Sequence, residues 1–180
     1  SNKAFTISAG SQTTSVQVNL IDDLVYEASE SMTATLGNLS NATAGSLSAR
    51  GTILDNDAMP YLSINDVSAN ESSNRITFTL SLNTISEVDV TGLAYTSGES
   101  ATATDDFTSI EIQPFTITAG VTSTQVAVTI IDDLLDEDNE IFTLYAVNVE
   151  NADLLKVEGS GTILDNDAPP NLTITSTTFS

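Results

Sequence analysis

Val126-Ala127-Val128-Thr129-Ile130-Ile131-Asp132-Asp133-Leu134-Leu135-Asp136-Glu137-Asp138-Asn139-Glu140 is the stretch whose reading decides the fold. In its first part Val126, Val128 and Ile130 alternate with Ala127 and Thr129, the period-two signature of a half-buried strand. The strand then runs straight into acids. Carboxylates cannot follow the apolar residues into a core without a partner, so the strand must end at solvent or at an ion. The nearest basic residue in sequence is Lys156, so the chain supplies no local cation.

The stretch is one copy of a repeat. Phe5-Thr6-Ile7-Ser8-Ala9-Gly10 matches Phe115-Thr116-Ile117-Thr118-Ala119-Gly120, an offset of 110. Asp22, Asp23, Glu27 and Glu30 match Asp132, Asp133, Glu137 and Glu140 at the same offset. So do Gly51-Thr52-Ile53-Leu54-Asp55-Asn56-Asp57-Ala58 and Gly161-Thr162-Ile163-Leu164-Asp165-Asn166-Asp167-Ala168. One offset kept through three separated blocks is tandem repetition, and it sets the expected domain map. Residues 59–168 form a complete unit, and residues 1–58 correspond to its second half. Residues 169–180 correspond to the first strand of a third unit, since Leu172-Thr173-Ile174 repeats Leu62-Ser63-Ile64. A chain that opens mid-repeat is expected to be either a piece of a longer array or a subunit completed by strand exchange in a head-to-tail polymer.

Further alternating runs make the chain all-β. Ile76, Phe78, Leu80 and Leu82 alternate with Thr77, Thr79 and Ser81, and Val16, Val18 and Leu20 repeat the pattern of Val126, Val128 and Ile130. Phe115 and Ile117, Phe142 and Leu144, and Val88 and Val90 add inward positions. Turn material at Asn83-Thr84, Ser97-Gly98, Ala119-Gly120 and Gly159-Ser160-Gly161 falls at sandwich spacing, and no stretch reads as a helix. About seven strands per unit predicts immunoglobulin-like β-sandwiches, one complete and one partial. The junctions Asp57-Ala58-Met59-Pro60 and Asp167-Ala168-Pro169-Pro170 are short and stiffened by proline, which predicts a rod.

Composition limits the function. The 180 residues carry 25 acids against Lys3, Arg50, Arg75 and Lys156, a formal net charge of −21. Nucleic acid needs clustered Lys and Arg and is excluded as a partner; an anionic membrane surface is disfavoured for the same reason. No apolar run is long enough to insert in a bilayer, and no signal peptide opens the chain. There is no Cys and no His, which excludes thiolate or imidazole zinc sites and Cys or Ser-His nucleophiles. Self-repulsion on this scale calls for screening, by a divalent cation or by a generally salty environment.

A hard cation suits the acids. Calcium takes six to eight oxygens from carboxylates and carbonyls. Asp132 and Asp133 end one strand, Glu137 and Glu140 follow in its loop with the Leu135 carbonyl between, and Asp165, Asn166 and Asp167 end the last strand. Strands finishing at one pole would bring these together with Asp106 and Glu71, too many carboxylates for one ion and enough for several sharing bridging ligands. Acidic runs are ordinarily solvated turns; two clusters per repeat, in register and at strand ends, are what favour metal. Neither EF-hand spacing nor a glycine-rich nonapeptide repeat is present.

The pattern Asp132-Asp133-x-x-x-Glu137-x-x-Glu140 followed by Gly161-Thr162-Ile163-Leu164-Asp165-Asn166-Asp167 resembles the Calx-β motif. Leu62-Ser63-Ile64-Asn65-Asp66 through Glu71, and Ala101 through Asp105-Asp106-Phe107, fit as well, with Phe107 where the family usually has Tyr. The resemblance covers the complete unit and both partial ones. It implies seven-stranded sandwiches of the kind found in sodium–calcium exchangers, integrin β4 and large bacterial or cyanobacterial surface proteins, with Ca2+ held where one domain meets the next. Carried across, the ligands are Glu71, Asp106, Asp132, Asp133, the Leu135 carbonyl, Glu137, Glu140, Asp165, Asn166 and Asp167. In the first unit they are Asp22, Asp23, the Val25 carbonyl, Glu27, Glu30, Asp55, Asn56 and Asp57. That unit has no counterparts of Glu71 and Asp106 within the chain, so its site is expected to be weaker or completed elsewhere.

These readings predict a calcium-binding structural repeat of an extracellular surface protein, adhesin or filament, partnered by neighbouring repeats and not an enzyme. A calcium-sensing regulatory domain of a membrane transporter is the alternative. A cadherin-like adhesion repeat is a further one, because Asp55-Asn56-Asp57-Ala58-Met59-Pro60 resembles a cadherin calcium linker. A carboxylate-pair glycosidase is disfavoured, because the acids sit in groups at loop tips with few aromatics beside them to carry a sugar.

Overall fold

The computed structural model describes residues 2–177. Among them eleven strands run in chain order: β1 (Glu30–Thr35), β2 (Ser48–Ile53), β3 (Tyr61–Ile64), β4 (Val67–Asn70), β5 (Arg75–Leu82), β6 (Val90–Gly98), β7 (Gln113–Ile117), β8 (Ser123–Thr129), β9 (Glu140–Glu150), β10 (Asp153–Lys156) and β11 (Glu158–Leu164). The one helical turn described is a 3-10 turn at Glu71–Ser73. It opens on Asn70, whose side chain accepts from the Ser72 amide, and closes on Asn74 in the left-handed conformation that Asn tolerates.

Strands β3 to β11 make two sheets, ordered β10-β3-β5-β8 and β4-β11-β9-β6-β7. β3 and β4 are nearly continuous in sequence yet lie in different sheets, so this edge of the chain crosses from one layer to the other. Counting them as one strand and β10 as an added ribbon leaves seven, a β-sandwich of immunoglobulin type. The alternation read from sequence is what the layers use. β5 runs exposed, then buried at every second residue, with Ile76, Phe78, Leu80 and Leu82 inward. They meet Val126 and Val128 of β8, and Phe142 and Leu144 of β9 across the interior. Phe142 is the hinge of the packing: its ring stacks on Phe107 at 4.6 Å and meets Phe78 edge-on at 5.8 Å. Each such buried side chain contributes about 1.5–3 kcal/mol of transfer free energy. Phe107 is wholly buried against carbon, so the ring needs no hydroxyl at this position.

Close approach of the sheets requires small residues opposite these rings. A Cβ on Gly161 would lie 2.7 Å from Phe142 and 2.8 Å from Phe78, so β11 can pass there only as glycine. The same glycine recurs as Gly51 in the first half of the chain.

Residues 2–58 depart from the expectation. Only β1 and β2 form, as an antiparallel pair with Glu30 opposite Ile53. Val16, Val18 and Leu20 form no strand, nor do Phe5 and Ile7, and Leu172 to Ile174 form none at the other end. The reason is pairing. In the complete unit β8 bonds to β5, β7 to β6 and β3 to β5; the counterparts of β5 and β6 are missing on both sides. Val16 is 46% exposed where its counterpart Val126 is 1%, and Leu20 is 59% exposed where Ile130 is 1%. Of the segment expected to begin a third unit, residues 178–180 lie outside the described residues.

Candidate metal centre

β8 leaves the sandwich at Thr129, β9 re-enters it at Glu140, and β11 ends at Leu164, all at one pole. The loops between and beyond them therefore share that pole with the Glu71 turn and the loop that follows β6. The antiparallel pairing of Glu140 with Ile163 fixes the two acidic segments side by side. Asn139, which the sequence reading did not single out, accepts from the Asp165 amide at 3.0 Å and ties the same segments together. Its only sequence signal was its place beside Glu140.

Two triads emerge. Glu71, Asp165 and Asp167 bring carboxylate oxygens within 4.8 Å of one another, as do Asp106, Glu137 and Glu140. Glu71 is the anchor of the first: it is only 5% exposed, and one of its oxygens accepts from the Asn166 side chain at 2.6 Å and the Asn166 amide at 3.4 Å. Asn166 also reaches Asp132 at 3.4 Å, so its side-chain amide donates to two acids. Asp106 is set by its loop: its side chain accepts from the Thr102 amide at 2.5 Å, and its carbonyl accepts from the Ile131 amide at 2.9 Å. Phe107, the next residue, is locked in the core, so core packing holds Asp106 at the pole.

Of the residues named from sequence in this unit, Asp132, Asp133, Leu135 and Asn166 are not members of either triad. Asp133 accepts from the Leu135 amide at 2.7 Å, closing an Asx turn within its own loop.

The electrostatics are those of crowded, partly dehydrated acids. Burial raises Glu71, an effect opposed by its Asn166 hydrogen bonds. Burial raises Glu137, helped by Asp106, Asp133, Glu71 and Asp165. Glu140 is pushed up to about 7 by burial, by its hydrogen bond and charge interaction with Asp106, and by Glu137 and Glu71. No basic side chain answers them: the one ion pair among the described residues, Lys156 with Asp66 at 2.7 Å, lies elsewhere and holds Asp66 below its usual range. Asp165 Oδ1 and Asp167 Oδ2 are buried atoms with no hydrogen-bond donor. Buried oxygens of this kind normally have a partner, and an all-oxygen, all-anionic donor set fits a hard divalent cation.

The first half of the chain reproduces the outline without the closure. Asp22, Asp23, Glu27, Glu30, Asp55, Asn56 and Asp57 line one shallow cleft of about 40 Å3. Val25 donates its amide to Asp23 at 2.8 Å, repeating the Asx turn of Asp133 and Leu135. Asp57 is raised by burial and by Asp55, Asp22 and Asp23. No triad forms among the described residues here, because the elements that carry Glu71 and Asp106 have no counterpart.

The Calx-beta domain model matches residues 2–57 and again residues 55–167. The chain belongs to the Calx-beta family. Its fold is shared with solved structures at low identity. The apo-form Calx CBD1 domain is 18% identical with a TM-score of 0.56, covering 61% of this chain and all of that one. CBD12 from CALX1.2 and the calcium binding domain CBD12 of CALX1.1 are each 19% identical, with TM-scores of 0.55 and 0.54. Each of these covers 59% of this chain, which spans 46% of theirs. No curated protein matches the sequence.

Proposed function

We propose that this Calx-beta pair is a calcium-binding structural repeat of an extracellular surface protein, adhesin or filament, in which Ca2+ cross-links the loops at each inter-repeat junction. The orphaned, buried Asp165 Oδ1 and Asp167 Oδ2 beside Glu71 carry this reading. Three anionic strand ends that no protein cation neutralises are held together by an ion. Glu71, Asp165 and Asp167 would hold one ion and Asp106, Glu137 and Glu140 another, with Asp132 joined to the first group through Asn166. Bound calcium supplies charge neutralisation; the chain supplies the preset loops. Millimolar extracellular calcium keeps even weak sites filled.

Neighbouring repeats of the same protein are the natural partners. The open apolar face of Phe5, Ile7, Val16 and Val18 takes a segment with the chemistry of residues 59–112, from an adjoining repeat or, in a head-to-tail polymer, from a second copy by strand exchange. Likeness to the calcium binding domain CBD12 of CALX1.1 supports the second reading, a calcium-sensing regulatory domain of a membrane transporter.

Calorimetric titration of the full chain with CaCl2 after chelator treatment tests the proposal. Saturable binding of more than one ion, with a melting temperature that rises with calcium, is expected; absence of both refutes it. A compact rod in chelator that stiffens no further with calcium would favour the sensor reading over the structural one.

A further inference from the structure

The two halves of the chain touch through backbone. The Glu87 amide donates to the Tyr26 carbonyl at 3.0 Å, and Tyr26 and Ser86 form an isolated parallel bridge. Ser86 is 2% exposed, and its hydroxyl is engaged with Val88, donating to the Val88 carbonyl at 2.9 Å and accepting from the Val88 amide at 3.1 Å. The loop between β5 and β6 is therefore preset to offer the Glu87 amide outward. On the other side Tyr26 stands three residues beyond Asp23, whose Asx turn with Val25 aims the Tyr26 carbonyl at the next unit. The contact resembles one rung of a β-ladder laid between consecutive repeats.

The repeat places the same device at the far pole. Asp133 and Leu135 close the same turn at 2.7 Å, and the residue that follows, Asp136, is the counterpart of Tyr26. Leu134 is 88% exposed and Leu135 62% exposed at this tip. The observed rung uses the Tyr26 carbonyl, a backbone acceptor that Asp136 also carries. Residues 169–177 lead away from this pole with the sequence that begins a unit.

We propose that the Leu134–Glu137 tip is a docking surface for a following Calx-beta repeat, whose β5–β6 loop donates a backbone amide to the Asp136 carbonyl as Glu87 donates to Tyr26. The partner is identified by chemistry: an extended loop carrying a Ser-Glu pair, with the serine folded back on its own backbone and the glutamate amide free. The inference rests on the reading of neighbouring repeats as partners but not on calcium binding, since both Asx turns are made by protein atoms alone.

The test is hydrogen exchange on the full chain and on the chain extended after Ser180 by a second copy of residues 71–168, which continues the repeat in register. In the unextended chain the Glu87 amide should exchange at least tenfold more slowly than an open loop amide, and Tyr26→Pro, which distorts the acceptor turn, should abolish that protection. In the extended chain the amide of the second-copy Glu87 should gain the same protection, lost on Asp136→Pro. Exchange at open-loop rates for the second-copy Glu87, in chelator and in calcium alike, while the added unit shows core protection, overturns the proposal. So does an unprotected Glu87 in the unextended chain, because the template would then be absent. Calcium binding is read separately by calorimetry, so failure of one reading leaves the other standing.

Discussion

Glu140→Gln isolates the electrostatics of the pole. Glu140 begins β9 opposite Ile163, and glutamine keeps its shape. Its carboxyl is raised from 4.5 to about 7 by burial first, then by Asp106, Glu137 and Glu71. A folded value above the unfolded one favours the protonated form in the fold. In chelator the fold therefore holds neutral Glu140 at no cost below pH 4.5, and stability drains away as pH rises through 7. A rise of that size corresponds to about 3 kcal/mol at most. The carboxylate is partly solvated, and screening reduces this to ~1–2 kcal/mol. Glutamine removes the penalty. By calorimetry in chelator, Glu140→Gln should differ little from the parent at pH 5 and melt roughly 3–8 °C higher at pH 8. In saturating calcium the sign inverts, because the carboxylate becomes a ligand: affinity should fall at least about tenfold, ~1.4 kcal/mol. A variant that melts below the parent in chelator at pH 8, or whose difference from it is the same at pH 5 and pH 8, would refute the reasoning.

Asp165→Asn with Asp167→Asn should weaken calcium by at least about tenfold at the Glu71 triad, while leaving the melting temperature in chelator unchanged or higher, since both removed charges lack donors. Gly161→Ala forces a Cβ between Phe142 and Phe78 and should cost about 1–3 kcal/mol in urea unfolding. Phe107→Ala should cost about 3–5 kcal/mol, and calcium affinity should fall with it because the buried ring holds Asp106 at the pole. Lys156→Ala breaks a surface pair and should move stability by less than about 1 kcal/mol, with no effect on calcium.

Much of the complete unit was legible because its signals are local. Period-two alternation in Ile76 to Leu82 and Val126 to Ile130 names the strands and their inward faces without any partner in view. The register of the repeat placed acids at strand ends, and an acid at a strand end can lie only at a pole. The first half of the chain misled for the complementary reason. Val16, Val18 and Leu20 carry the same alternation as Val126, Val128 and Ile130, yet form no strand, because a strand is a pairing and the pairing partner comes from distant sequence. The site was legible as a set and not as an arrangement. Asn166, grouped with the ligands by its neighbours in sequence, is the donor that bridges Glu71 and Asp132. Asp133 turns back on its own loop, and Asn139 enters as a clamp.

By itself the sequence determined that the chain repeats at 110 residues, folds as β-sandwich, and gathers acids that no Lys or Arg neutralises. Those are statements about composition and period, which survive without coordinates. Tertiary structure decided which acids come together: the split into Glu71-Asp165-Asp167 and Asp106-Glu137-Glu140 follows from β9 pairing with β11 and from Phe107 anchoring in the core. It also decided that the junction is a backbone rung between Tyr26 and Glu87. Hydrogen-bond geometry of this kind depends on where two loops meet in space, and the repeat carries it to Asp136 only once the first rung is in view.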